Sequence, residues 1–235
     1  MKFNSAGIIA ALSSAQLIKT APGRTLKSMK FIVAMTGASG AQYALRLMQK
    51  MVASGAQIML TISEPGCVSL AAETGIKLNA HSSDLSKLFD DAAALDRVEY
   101  SNPRDIGAKM ASGSSHHDGM IVVPCSMGTL GRIAHGTSDD LICRAADVAL
   151  KEKRKLILVT REMPLSLIHL RNMVSVTEAG AQVFHACPHF YHRPQTVEEV
   201  IDTVVDRVLD HLNVPIETRR WKENEKNGAR EQDRA

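Results

Sequence analysis

Met120-Ile121-Val122-Val123-Pro124-Cys125-Ser126-Met127-Gly128-Thr129 decides the fold. Its first part is a short β-branched and apolar run, which reads as a strand buried on both faces of a parallel sheet. Proline closes the run. A small-residue turn of Ser126, Met127, Gly128 and Thr129 then leads into a short helix over 130–134. In open α/β sheets, ligands bind outside the carboxyl ends of the strands, and free N–H groups at a helix start attract an anion. A plain strand-to-helix connection with no ligand has the same pattern, so the stretch specifies a fold class before it specifies a site.

Upstream, the same grammar appears twice. Residues 31–35 are an apolar strand, followed by Thr36-Gly37-Ala38-Ser39-Gly40-Ala41 and a helix over 41–52 whose Ala41, Ala44, Leu45, Met48 and Val52 share one face. The glycine pattern lacks the third glycine of the dinucleotide fingerprint, and suits a mononucleotide phosphate better than a pyrophosphate. A tight turn kept small for packing is the alternative. Residues 57–62 are a second strand ending at Ser63, and Glu64-Pro65-Gly66 opens a helical stretch with proline near its first position. Residues 77–110 are the least regular part, with a short helix expected over 85–94 and a strand over 97–100.

Downstream, helices are expected over 141–151 and 165–179, and strands over 156–160 and 181–186. Thr196-Val197-Glu198-Glu199 forms a capping box for the last helix. This βα alternation predicts one α/β domain over 30–213, a three-layer Rossmann/flavodoxin-like sandwich with a mostly parallel sheet. Residues 1–29 carry Lys2, Lys19, Arg24 and Lys27 without an acidic residue, and read as a transit peptide, a weak signal or a non-native extension before Met29. Residues 214–235 form a charged tail of mixed sign.

Composition removes several function classes. A chain of 235 residues with 45% apolar residues can bury a sizeable core. A net charge of +3 and 4% aromatic residues argue against a nucleic-acid surface. The four cysteines are widely spaced, with no C-x-x-C pair, and the histidines lack metal-ligand spacing, so no metal site is expected. No apolar run reaches the length of a membrane span.

Three small loops follow strands: residues 37–39, 126–129, and the Arg161-Glu162 turn. On a parallel sheet they share one edge, where a nucleotide can touch all three. Arg144, Lys151, Arg161 and Arg207 offer charge for a second anion, Ser112 and Gly113 lie in a hydroxyl-rich loop, and Tyr191 offers a phenol. Glu162 beside such a site is a candidate proton shuttle. Each of these residues, taken singly, also reads as a solvated charge or a packing group.

Together, Met35-Thr36-Gly37-Ala38-Ser39-Gly40-Ala41-Gln42-Tyr43, Pro124-Cys125-Ser126-Met127-Gly128-Thr129-Leu130, Arg144-Ala145-Ala146-Asp147-Val148-Ala149-Leu150-Lys151-Glu152, Arg161-Glu162-Met163-Pro164-Leu165-Ser166 and Phe190-Tyr191-His192-Arg193-Pro194 resemble the UbiX-type flavin prenyltransferases, with the motifs in order across 30–221. The resemblance implies a metal-independent homo-oligomer, a dodecamer, that joins the dimethylallyl group of dimethylallyl monophosphate to N5 and C6 of reduced FMN. The prenylated FMN would serve a UbiD-type decarboxylase. It implies that FMN is held by Gly37, Ala38, Ser39, Ser63, Ser126, Met127, Gly128, Thr129 and Arg161. The prenyl phosphate would be held by Ser112, Gly113, Arg144, Lys151, Tyr191 and Arg207, and Glu162, Ser39, Glu73 and Lys151 would serve the chemistry.

Glu64-Pro65-Gly66 departs from the Lys-Ala-Ala type of sequence common in that family, which puts the local helix start in question but not Ser63. An FMN-dependent cysteine decarboxylase is the second enzyme reading, yet no histidine occurs before His81 to match the catalytic one near the first loop. A flavin-storing protein is the non-enzymatic reading. The implied location is the cytoplasm, or the mitochondrion if residues 1–29 are a transit peptide.

Overall fold

Phe31–Met35 are all buried, and the period-2 geometry of a strand sends successive side chains to opposite faces of a sheet, Phe31, Val33 and Met35 to one and Ile32 and Ala34 to the other. In the computed structural model, which describes residues 29–82, 84–89 and 91–216, these residues fall in strand β1 (Lys30–Met35). The other strands are β2 (Gln57–Ile62), β3 (Val98–Tyr100), β4 (Gly119–Cys125), β5 (Leu156–Thr160) and β6 (Gln182–His185). They pair in the order β3-β2-β1-β4-β5-β6. Every pairing is parallel. That is the doubly wound Rossmann order, in which the chain reverses direction of growth between β1 and β4.

One face of the sheet, carrying Phe31, Val33, Ile58, Leu60, Ile121, Val123 and Val159, packs on helices α1 (Ala41–Ala53), α2 (Glu64–Thr74) and α7 (Val197–His211). The opposite face, carrying Ile32, Ala34, Met120, Val122 and Leu158, packs on α4 (Met127–Ala134), α5 (Leu141–Lys151) and Val176 of α6 (Leu167–Glu178). Each fully buried aliphatic side chain contributes about 1.5–3 kcal/mol, so both faces must be covered and the central strands carry almost no polar residue.

Several element boundaries differ from the sequence expectation. The stretch 85–94 is not one helix: α3 spans only Ala92–Leu95, capped by Asp91, whose side chain accepts the Ala93 N–H. Helix α4 begins at Met127, not at 130, because Ser126 caps it directly. Helix α6 begins at Leu167, since the Ser166 hydroxyl and the His169 ring form a capping box there. At α7 the Thr196 hydroxyl accepts the Glu199 N–H, but the Glu199 carboxylate accepts the N–H of Gln195, one position before the expected cap. Of the expected N-terminal extension (1–29) and charged tail (214–235), residues 1–28 and 217–235 lie outside the described residues, while Val214 is buried in the core rather than in a solvated tail. Among the described residues no helix is long and apolar enough to cross a membrane.

Candidate functional site

The reversal point between β1 and β4 is where the sheet opens a crevice at its carboxyl edge. Thr36 sits at that point and is 2% exposed. Its hydroxyl donates to the Pro124 carbonyl at 2.7 Å and accepts the Ser126 N–H at 2.8 Å. Pro124 has no N–H to continue the ladder, and the register of β4 on β5 shifts between Val122 and Cys125. The Thr36 hydroxyl therefore ties the first loop to the turn after β4. The Ser126 hydroxyl then accepts the Thr129 N–H at 3.3 Å and caps α4. A Cβ built on Gly128 meets nothing within 4 Å, so the first turn of α4 faces open space.

Helix α2 walls the first loop on its other side. Ser63 caps this helix, accepting the Gly66 N–H at 3.1 Å, and Pro65 occupies the first turn, where no intrahelical N–H is needed. Glu64-Pro65-Gly66 thus starts a regular helix. Pro65, Ser69 and Glu73 are spaced four apart and share one helix face. Pro65 packs so closely on Gly37 that a Cβ there would lie 2.5 Å from the Pro65 Cβ. The Ser69 hydroxyl donates to the Gly37 carbonyl at 3.0 Å. The Glu73 carboxylate accepts the Gly40 and Ala41 N–H groups, each at 2.8 Å. From the end of β5, Arg161 Nε donates to the Ser39 carbonyl at 3.1 Å, and the neighbouring Glu162 Oε1 accepts the Met163 N–H at 3.1 Å.

The structure therefore gathers Gly37, Ala38, Ser39, Ser63, Glu73, the 126–129 turn and Arg161 at one edge. Their polar side chains are already engaged, Ser63 and Ser126 as helix caps and Arg161 on the Ser39 carbonyl. Thr129 is 3% exposed, and its hydroxyl lies 3.1 Å from the Ser126 hydroxyl and 3.4 Å from Arg132. Glu73 holds the start of α1. Cys125, next to the crevice, is fully buried, and burial pushes its thiol up to about 12. It stays protonated at neutral pH and is not an activated nucleophile.

The remaining candidates are Ser112, Gly113, Arg144, Lys151, Tyr191 and Arg207. Lys151 ends α5 just before β5, and Ser112 and Gly113 precede β4, so this group stands at the amino edge of the sheet. Lys151 Nζ donates to Glu152 at 2.8 Å, and a Cβ on Gly113 would lie 3.3 Å from that nitrogen. Arg154 fixes the loop by donating to the Gly113 and Ser115 carbonyls at 2.5 and 2.6 Å. Arg144, two helical turns and about 10 Å before Lys151 along the axis, pairs with Asp147 at 2.8 Å. Tyr191 lies in the loop between β6 and α7, and Arg207 lies on α7. The Tyr191 ring lies 5.6 Å from His189, whose N–H donates to Thr203 of α7 at 3.3 Å, and Arg207 is one turn beyond Thr203. Arg46 and Lys50 of α1 hold α7 through Asp202 and Asp206. In one copy the Lys151 group thus stands at the opposite edge of the sheet from the crevice.

Thr36, Pro65, Ser69 and Arg154 were not evident from the sequence. The four-residue spacing of Pro65, Ser69 and Glu73 was the available signal. Asp139, Asp140 and Cys143 place three donor atoms within 4.8 Å, but Arg132 already bonds both carboxylates, at 2.7 and 2.6 Å.

A family model described as Flavoprotein matches residues 19–209. A flavin prenyltransferase UbiX of Halalkalibacterium halodurans is 43% identical over 201 residues, covering 85% of this chain and 97% of that protein. A crystal structure of AnUbiX in complex with FMN and dimethylallyl pyrophosphate is 39% identical, covers 83% of this chain and 100% of its own, and superposes with a TM-score of 0.73. A dodecameric FMN-dependent UbiX-like decarboxylase from Escherichia coli O157:H7 is 42% identical, with 82% and 99% coverage and a TM-score of 0.72.

Proposed function

The chain belongs to the UbiX-type flavin prenyltransferases of the flavoprotein family, and from that premise we propose that it joins the dimethylallyl group of dimethylallyl monophosphate to N5 and C6 of reduced FMN, releasing phosphate. The observation that carries this reading is the convergence of three strand-end loops at the β1/β4 reversal, bound together through Thr36, Glu73 and Arg161. The residues fit a flavin monophosphate: the Ser63 and Ser126 hydroxyls stand at helix starts, the first turn of α4 faces open space at Gly128, and Arg161 is fixed beside the first loop. When bound, reduced FMN supplies the nucleophilic ring atoms.

The chain's own part is to hold charge and move protons. Arg144, Lys151, Tyr191 and Arg207, with the 112–113 loop, hold the phosphate and stabilise it as it leaves, without a metal. Glu162 carries a proton to the departing phosphate or away from C6, with the Met163 N–H setting its orientation. Because one copy sets Lys151 and the 112–113 loop at the edge of the sheet opposite the crevice, a homo-oligomer unites them with it. Support comes from the apolar side chains exposed beside Glu162 and Tyr191, namely Met163 at 83%, Ile168 at 68% and Phe190 at 68%. The product, prenylated FMN, goes to a UbiD-type decarboxylase. The enzyme acts in the cytoplasm, with the mitochondrion as the alternative if residues 1–29 direct it there.

The test is anaerobic incubation of the purified chain with reduced FMN and dimethylallyl monophosphate, with dimethylallyl pyrophosphate in a parallel arm, followed by mass spectrometry of the flavin. A flavin heavier by the dimethylallyl group in the monophosphate arm is expected. Unmodified FMN in both arms overturns the assignment.

A further inference from the structure

In a sheet of this strand order, the helix after the first strand presents its N-terminus to the pyrophosphate of a dinucleotide. Here that helix start is already taken. The Gly40 N–H donates to both oxygens of Glu73, at 2.8 and 3.1 Å, and the Ala41 N–H donates to Oε2 at 2.8 Å. A carboxylate from α2 therefore complements the positive end of α1, as a ligand anion would. The loop beneath it has little freedom to rearrange, since Pro65 abuts Gly37, Ser69 holds the Gly37 carbonyl, and Arg161 holds the Ser39 carbonyl.

Two other helix starts on this edge, those after β2 and β4, are different in kind. Helices α2 and α4 are capped by the hydroxyls of Ser63 and Ser126. Each hydroxyl is neutral and has a hydrogen to donate while accepting from its own helix. A phosphate monoester placed at these two starts meets donors. A pyrophosphate reaching α1 meets the charge of Glu73.

We propose that Glu73 is a specificity determinant: by occupying the N-terminus of α1 it directs the flavin phosphate toward α2 and α4, and makes the site select a flavin mononucleotide over a flavin dinucleotide. This rests on the flavin-binding reading above. It adds to that reading the group that sets the choice between nucleotides, a choice made by like-charge exclusion and not only by contacts to the correct ligand.

The experiment measures dissociation constants of FMN and FAD by flavin-fluorescence titration of the full chain, for wild type, Glu73→Gln and Glu73→Ala. Wild type is expected to prefer FMN. Glu73→Ala should narrow the FMN-to-FAD preference by about tenfold or more, mainly through tighter FAD binding. Glu73→Gln, which keeps the shape and loses the charge, should narrow it in the same direction. If Glu73→Ala does not fold, the Gln variant alone decides. An unchanged preference in the folded variants, or equal weakening of both flavins, overturns the proposal and leaves Glu73 as a cap only. Wild-type protein that binds neither flavin overturns the flavin reading itself, a separate and recognisable outcome.

Discussion

The Thr36 hydroxyl accepts the Ser126 N–H at 2.8 Å while donating to the Pro124 carbonyl at 2.7 Å, across 90 and 88 positions of sequence. One buried side chain thus joins both sides of the crevice. Thr36→Val keeps the shape and removes both bonds, leaving the Ser126 N–H without its partner. Unpaired groups of this kind cost about 1–3 kcal/mol, so urea unfolding should show a loss of that size, accompanied by weaker FMN binding. Thr36→Ser should retain most of both. Equal behaviour of the Val and Ser variants would remove the hydroxyl from the account.

Gly37 faces Pro65 with room for no further atom, since an added Cβ would sit 2.5 Å from the Pro65 Cβ. Gly37→Ala should therefore destabilise by about 1–3 kcal/mol, the usual cost of overpacking. Combining it with Pro65→Ala should not rescue, because alanine keeps the offending Cβ. Combining it with Pro65→Gly should recover flavin binding. Rescue by the Ala partner would show that the strain lies in the proline ring instead.

The fold was legible in the sequence because its central strands are buried on both sides and read as unbroken apolar runs, as at 120–123. The helix starts were less legible. Ser126 and Ser166 are both N-caps, but a cap is known by where its hydroxyl points, and the residues after each serine read equally well as turn. Within the site, residues at strand ends were found from their position alone. Those acting across the sequence were not: Thr36, Ser69 and Arg154 bond backbone atoms 90, 32 and 41 positions away, and no local pattern encodes such a partner. The separation of Lys151 from Arg161 was equally invisible, since a residue pattern does not say which edge of the sheet a helix end reaches.

Arg154 and Lys151 act on the same loop in different ways, and kinetics should tell them apart. Arg154 bonds the carbonyls of Gly113 and Ser115, whereas Lys151 presents its ammonium beside Gly113. Lys151→Ala should raise KM for dimethylallyl monophosphate by about tenfold or more and lower kcat, with FMN affinity unchanged. Arg154→Ala should raise KM with a smaller effect on kcat, because it positions the loop and does not face developing charge. Arg154→Lys, which cannot reach two carbonyls as a planar fork does, should recover only part. FMN affinity falling in step with KM in both variants would point to a fold defect and not a phosphate loop.

Cys125 makes the fold sensitive to alkali. Burial raises its thiol from an ordinary value of 9.0 to about 12. Below pH 9 the thiol is protonated in both folded and unfolded chains, and its contribution to stability is fully present. Between pH 9 and about 12 the unfolded chain releases this proton while the folded chain keeps it, so the unfolded state gains. The slope is about 1.4 kcal/mol per pH unit for one such group. Tyr100, also raised to about 12 by burial, adds to the same trend in any variant that retains it. Cys125→Ala removes one titrating group and leaves the rest, so the comparison isolates the thiol even though the cavity lowers stability at every pH. Urea midpoints measured from pH 8 to 11 should fall more steeply in wild type than in Cys125→Ala, with the curves converging as pH rises. Parallel curves would mean that the Cys125 thiol titrates no later in the folded chain than in the unfolded one.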